Sequence, residues 1–103
     1  MTASSDAIEV RRNDEEQRYE VRLGGELAGF AAYRAAPGRI VFTHTEVFPG
    51  HEGEGIGSRL AEAALDDAVA RGEQIVPVCP FIASYVRRHH DYDASISWPD
   101  AED

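Results

Sequence analysis

The sequence predicts an α+β fold, a mixed α/β chain in which an antiparallel strand meander leads into a glycine-rich loop, a helix, a fifth strand and a C-terminal helix. Three observations carry that expectation. Before residue 48, apolar and polar residues alternate in four short runs separated by turn residues, the period-two pattern of half-buried strands. Four glycines then stand at Gly50, Gly53, Gly55 and Gly57. After them the apolar period changes to three and four, which marks one buried face of a helix.

In chain order, residues 1–6 are expected to be a disordered tail, 7–93 a single domain and 94–103 an acidic C-terminal tail. Ile8 and Val10 alternate with Glu9 and Arg11, Asn13 to Gln17 form a polar turn, and Tyr19, Val21 and Leu23 alternate again. Two strands joined by a hairpin account for this. Gly24-Gly25 is the next turn, Leu27 to Arg34 the third strand, Pro37-Gly38 another turn, and Arg39 to Val47 the fourth strand. The helix follows from Gly57, Leu60, Ala61, Ala64, Leu65 and Ala68 on one side, with Arg59, Glu62, Asp66 and Arg71 mostly on the other. Gly72 is placed to end it. Glu73 to Val78 reads as a fifth strand. Pro80 is acceptable at a first helical position, so Phe81 to His90 reads as a second helix, with Arg87, Arg88, His89 and His90 at its favourable C-terminal end. Whether the ring of Trp98 docks is a question for the tertiary structure.

Composition narrows the function. At 103 residues the chain is one domain with a modest core. It has no long apolar run and no basic-then-apolar leader. One cysteine precludes an internal disulfide and suits a reducing compartment, so a cytoplasmic location is expected. A formal net charge of −9 argues against nucleic acid, whose binders carry basic patches, and suits a cationic partner such as an amine.

The glycine cluster frees the backbone for positive φ, and the helix behind it adds a positive dipole end. The junction is suited to an anion, above all a phosphate. Two nucleotide motifs fail here. Ile56-Gly57 stand where a P-loop needs Lys and Ser/Thr. Gly53-x-Gly55-x-x-Ser58 lies mid-chain with too few residues after it to wind a dinucleotide-binding sheet.

Glu52-Gly53-Glu54-Gly55-Ile56-Gly57 instead resembles the (Arg/Gln)-x-x-Gly-x-(Gly/Ala) signature of the GNAT superfamily of acyl-CoA N-acyltransferases, with Glu52 where the superfamily usually has Arg or Gln. Thr45-Glu46-Val47, the glycine loop and the block from Val76-Pro77-Val78-Cys79-Pro80-Phe81 to His89 together resemble a minimal single-domain branch with a Cys-Pro-Phe motif. The resemblance implies a reduced GNAT-like fold and transfer of an acetyl group from acetyl-CoA to an amine on a small molecule or a protein lysine. It implies no metal. It places coenzyme A along Val47, Phe48, Glu52, Gly53, Glu54, Gly55, Ile56, Gly57 and Ser58, with a backbone N–H of Val47 or Phe48 supporting the thioester oxygen. The acceptor walls usual in the superfamily have no counterpart in the short Asn13–Gln17 turn. A shallow cleft, or one completed in a homodimer, is therefore expected; monomer and homodimer both remain open.

Four residues stand out as catalytic candidates. Cys79, just before Pro80, is expected at a helix N-cap, where free amides favour a thiolate; there it is either a partly exposed nucleophile that accepts the acyl group or a small buried side chain. Glu46 and His44 share strand parity and so one face, where they either relay a proton from the acceptor ammonium or form a solvated polar edge. Tyr85 lies on the second helix, where the resemblance puts the acid that protonates the departing thiolate; the alternative is an aromatic facing Phe81 one turn earlier. His51 suits the surface, and His89 and His90 the helix end, since adjacent helical histidines point apart. Beside the transferase stands a non-catalytic coenzyme A or acyl-CoA binder, or a protein-interaction module that retains the loop.

Overall fold

The computed structural model describes residues 8–51 and 55–99. Strands β1 (Ile8–Asn13), β2 (Arg18–Leu23), β3 (Glu26–Ala36) and β4 (Arg39–Val47) form successive antiparallel neighbours. Helix α1 (Ile56–Ala70) then crosses over so that β5 (Gln74–Pro77) pairs parallel to β4. A parallel pair requires such a crossover, and here a single helix provides it. The sheet order is β1-β2-β3-β4-β5, and α2 (Pro80–Arg88) and a 3-10 helix (His90–Ser95) complete the described fold. The expected α+β architecture is the observed one.

Some boundaries differ, each for a local reason. β3 runs on to Ala36 because Ala36 pairs with Arg39 across the two-residue Pro37-Gly38 turn, with Gly38 at φ 71°. β5 stops at Pro77, whose nitrogen has no proton to donate to a ladder. α2 ends at Arg88 rather than His90, since His89 is extended and lays its ring on Tyr85, centroids 4.0 Å apart. Gly72, at φ 76°, follows the C-cap of α1 as expected.

Helix α1 buries Ile56, Leu60, Ala61, Ala64, Leu65 and Ala68, and its alanines let it lie close to the sheet. Tyr19, Val21, Ala31, Tyr33, Ile40, Phe42 and Ile75 meet it from the sheet, and Ile82 and Val86 of α2 join the same cluster. Both helices therefore cover one face. The other face, with Phe30, Arg34, Val41, His44, Glu46, Val76 and Val78, carries no helix among the described residues.

One irregularity sets which β4 side chains reach which face. Tyr33 pairs with Phe42 but Ala32 pairs with His44, so Thr43 is the extra residue of a β-bulge. Phe42 points into the core before the bulge. After it, Thr45 and Val47 take the helix face while His44 and Glu46 take the open face. Chain beyond the second helix is also anchored: Ile96 bridges Ile75, the Ser97 N–H donates to the Ile75 carbonyl at 2.8 Å, and the Trp98 ring lies 4.6 Å from the Arg87 guanidinium. This segment runs beside an edge of β5 that pairs with no other strand among the described residues.

At the far end of the sheet Arg12, its side chain 8% exposed, bonds Glu73 with two nitrogens (3.0 and 3.2 Å) and donates to Asp14, Tyr19 and Tyr33. Tyr19 in turn donates to Asp67 of α1 at 2.7 Å. This network ties β1, β2 and β3 to the C-terminal part of α1 and the start of β5.

Candidate active site

The site begins where β4 and β5 part. Their ladder ends at Phe42 opposite Pro77, and the Cys79 N–H makes a last bond to the Phe42 carbonyl at 2.8 Å. Pro80 then starts α2, while β4 continues unpaired on that side through Val47. Two prolines three residues apart thus end the pairing: one cannot donate and the other suits only a helix start. The result is a wedge between β4 and the chain entering α2. Thr45 and Cys79 meet inside it, hydroxyl to thiol at 3.3 Å.

The wedge opens onto the first turn of α1. Gly55 caps the helix at φ 74°, with no side-chain cap, and its carbonyl accepts the first intrahelical bond from Arg59 at 3.0 Å. The amides of Ile56, Gly57 and Ser58 precede that bond, so they have no partner within the helix. A cavity of about 260 Å³ lies against them, walled by Val47, His51 and Phe81. Space is tight at Gly57: a Cβ there would stand 3.0 Å from the Phe81 ring tip and 3.5 Å from Val47 Cγ2, so the ring would have to shift. Amides without a partner in their own helix, beside an apolar wall, fit both parts of coenzyme A, its diphosphate and its uncharged arm. Glu52, Gly53 and Glu54 lie outside the described residues.

One expectation needs correction. The Phe48 N–H donates to the Ala28 carbonyl at 2.8 Å, so it is not available to a thioester oxygen. The same bond clarifies Val47. Antiparallel ladders alternate bonded and non-bonded pairs, and Val47 opposite Gly29 is the non-bonded one beside it. Its N–H is therefore turned away from β3 and towards the wedge.

The remaining candidates divide between the faces. His44 Nε2 and Glu46 Oε1 are 3.4 Å apart on the open face, both well exposed, so the shared parity holds. Phe30 lies directly opposite Glu46, with its ring 6.0 Å from His44 and 6.1 Å from Phe48. Cys79 occupies the N-cap of α2, but its thiol is only 2% exposed rather than partly open. Its carbonyl, not its sulfur, caps the helix, accepting from Ala83 at 2.9 Å. Tyr85 is buried against His89, and burial, reinforced by Glu62 and Asp66, pushes its phenol pKa up. Sequence reasoning met Thr45 and Phe81 only within motifs, and Phe81 as a neighbour of Tyr85, and it assigned Phe30 no role. Only the bulge and the close approach of α2 to Gly57 bring them to the site. Among the described residues no group of three His, Cys, Asp or Glu is arranged to hold a metal, and no helix is long and apolar enough to cross a membrane.

Comparison with known proteins agrees with this geometry. The model of the GCN5-related N-acetyltransferase family matches residues 18–96. This chain belongs to that family. Protein NATD1 of chicken and of mouse is 33% identical over 84 residues, covering 80% of this chain and 76% of the relative. Streptothricin acetyltransferase of Streptomyces lavendulae is 46% identical over 63 residues, but this stretch is 57% of the present chain and a third (33%) of that enzyme. Among solved structures, a GCN5-like protein from Staphylococcus aureus superposes with a TM-score of 0.67 over 97% of this chain and 94% of its own, at 19% identity. A ribosomal-protein-alanine N-acetyltransferase from Brucella melitensis gives 0.53, with 81% and 62% coverage at 23% identity. At these identities the two structures speak for the shared fold.

Proposed function

We propose that this member of the GCN5-related N-acetyltransferase family transfers an acetyl group from acetyl-CoA to an amine by direct attack. The observation that carries the reading is the wedge between β4 and β5 opening onto the first turn of α1, whose N-cap is Gly55 at φ 74°. Acetyl-CoA, when bound, supplies the activated acyl group. The amides of Ile56, Gly57 and Ser58 hold its diphosphate, and Val47 and Phe81 line the path of its arm. The Val47 N–H faces the wedge, where it supports the carbonyl oxygen as that atom gains charge.

The acceptor approaches from the open face. An amine with a pKa near ~10 must shed a proton before it attacks, and Glu46 beside His44 is placed to take it. Tyr85 keeps its phenol proton at neutral pH, the state needed of an acid for the leaving thiolate, although its partner His89 gives it a structural role as well. A route through an acyl-Cys79 requires the thiol to move out from behind Thr45, so direct attack is preferred.

Titration calorimetry with acetyl-CoA and release of free thiol over an amine panel test the proposal. Expected are binding below millimolar and thiol release that depends on Glu46. No binding at millimolar ligand overturns the reading. Binding without thiol release for any amine supports the second reading, a non-catalytic coenzyme A binder, which the exposure of Glu46 and the uncovered sheet face favour.

A further inference from the structure

The open face holds a second feature, a groove of about 860 Å³ floored by Val41, Val76 and Val78 and walled by Trp98, with Arg34 and Arg39 at its rim. The floor is apolar and accessible: Val78 is 51% exposed. Arg34 and Arg39 make no ion pair and no side-chain hydrogen bond among the described residues. Of the other eight arginines, Arg11, Arg12, Arg18, Arg22 and Arg71 lie on a carboxylate, while Arg59, Arg87 and Arg88 make no ion pair among the described residues. In a chain with 19 acidic residues and a formal net charge of −9, two unpaired arginines beside an apolar floor form a site for an anion attached to something hydrophobic.

The groove also lies on the same sheet face as Glu46. Arg34 pairs with Val41 across the β3–β4 ladder, and Glu46 is five residues further along β4, roughly 16 Å at the strand rise. That span is too long for an amino acid or a simple diamine to bridge. It matches about five residues of extended peptide.

Resting on the transferase reading, we infer that the acceptor is a peptide segment lying along β4, its amine at Glu46 and an acidic side chain about five residues away held by Arg34 and Arg39. The apolar floor takes the residues between, and Trp98 closes the side. Selection works through the anion as well as the amine. An acceptor without the acid loses the arginine contacts but keeps the chemistry.

The test compares two blocked peptides, each with one lysine, carrying Glu or Gln five residues from it. With acetyl-CoA present, the Glu peptide is expected to show kcat/KM higher by about five- to tenfold at low salt, a ratio that shrinks as salt screens the contact. In the double variant Arg34→Gln/Arg39→Gln the ratio falls to about one, whereas Arg88→Gln keeps it. Equal rates for both peptides, with thiol release intact, overturn this inference and leave the transferase reading standing; failure to bind acetyl-CoA overturns the reading itself. Should acetyl-CoA bind without turnover, quenching of Trp98, the single tryptophan, reads the groove directly. Quenching by the Glu peptide that requires Arg34 and Arg39 supports the inference, and its absence overturns it.

Discussion

Gly57 and Gly29 lack a side chain for different reasons, and the difference is measurable. A methyl at Gly57 meets the tip of the Phe81 ring, which is 37% exposed and can rotate away. Gly57→Ala should therefore alter stability little while narrowing the cavity, weakening acetyl-CoA binding by about tenfold in calorimetry, since a single misplaced methylene is worth roughly 1–3 kcal/mol. A methyl at Gly29 would stand 2.4 Å from the Glu46 carbonyl oxygen and 3.1 Å from Val47 Cα, both backbone. Nothing there can rotate. Gly29→Ala should cost on the order of 1–3 kcal/mol in denaturant unfolding and displace Glu46 and Val47 together. Glu46→Gln keeps the shape and removes the base, so kcat/KM should fall by about 10²-fold with the midpoint of unfolding unchanged. For Cys79 the chain offers a clean experiment, because all ten basic residues are arginine and no lysine competes for acetyl groups. Direct attack predicts no acetyl adduct in intact mass after incubation with acetyl-CoA. An adduct that Cys79→Ser abolishes would establish the covalent route instead.

Among the elements, β1 depends most on a single side chain. It is an edge strand, and Arg12 ties it to β5 through Glu73, to β2 through Tyr19 and to β3 through Tyr33. Burial by itself lowers the Arg12 pKa, but the bonds to Glu73, Asp14 and Tyr19 outweigh it and hold the guanidinium firmly charged. Removing one member of such a network leaves partners buried without a counter-charge. Arg12→Ala should cost about 3 kcal/mol, somewhat less if water reaches Glu73, and chemical denaturation will measure it. The cost should fall on the hairpin of β1 and β2, seen as faster amide exchange there than at α1. The active wedge is at the opposite end of β4, so acetyl-CoA affinity in the folded fraction should change little.

For the whole molecule, the pH profile of stability follows from groups whose ionisation changes on folding. Burial raises the carboxyl pKa of Asp67, but bonds from Tyr19 and Arg71 overcome it; in Glu20 the bonds from Arg18 and Asn13 do the same. Both pKa values are lowered below 3.8 and 4.5, respectively. The unfolded chain then binds more protons than the native one, so this stabilisation is present above about pH 4.5 and is lost as pH falls through the folded-state values. Tyrosines set the alkaline limb. Burial, then the bond to Asp14, pushes Tyr33 up to about 12, and Tyr19 and Tyr92 are raised for similar reasons, by burial and by bonds to Asp67 and Asp66. Their contribution is full below pH 10 and declines as pH rises through the folded-state values, because the native state then holds the extra protons. Thermal midpoints measured from pH 3 to 12 should trace a plateau with both edges, and Tyr19→Phe should soften the alkaline one.

Periodicity alone was enough for the strands, for α1 and for its glycine stop, because an amphipathic element must repeat its apolar residues at its own backbone period. The helix start behind the glycines was legible for the same kind of reason, being a local matter. Residue 8 to residue 47 could be read as a meander because each turn carries its own chemistry, as Pro37-Gly38 does. The faces of β4 could not be read this way. Parity keeps His44 and Glu46 together, yet only the bulge at Thr43, a feature of pairing with β3, decides that they look away from the helices while Thr45 looks towards Cys79. Likewise the Phe48 amide was spent on Ala28 and the Val47 amide left facing the wedge by a ladder register that no local pattern encodes. Secondary structure is largely a property of near neighbours, and this sequence determined most of it, though not the end of α2 or the 3-10 helix His90–Ser95. Which donors stay free, how far Cys79 is buried and where Trp98 rests are set by contacts between residues distant in the chain, and those the tertiary structure alone decided.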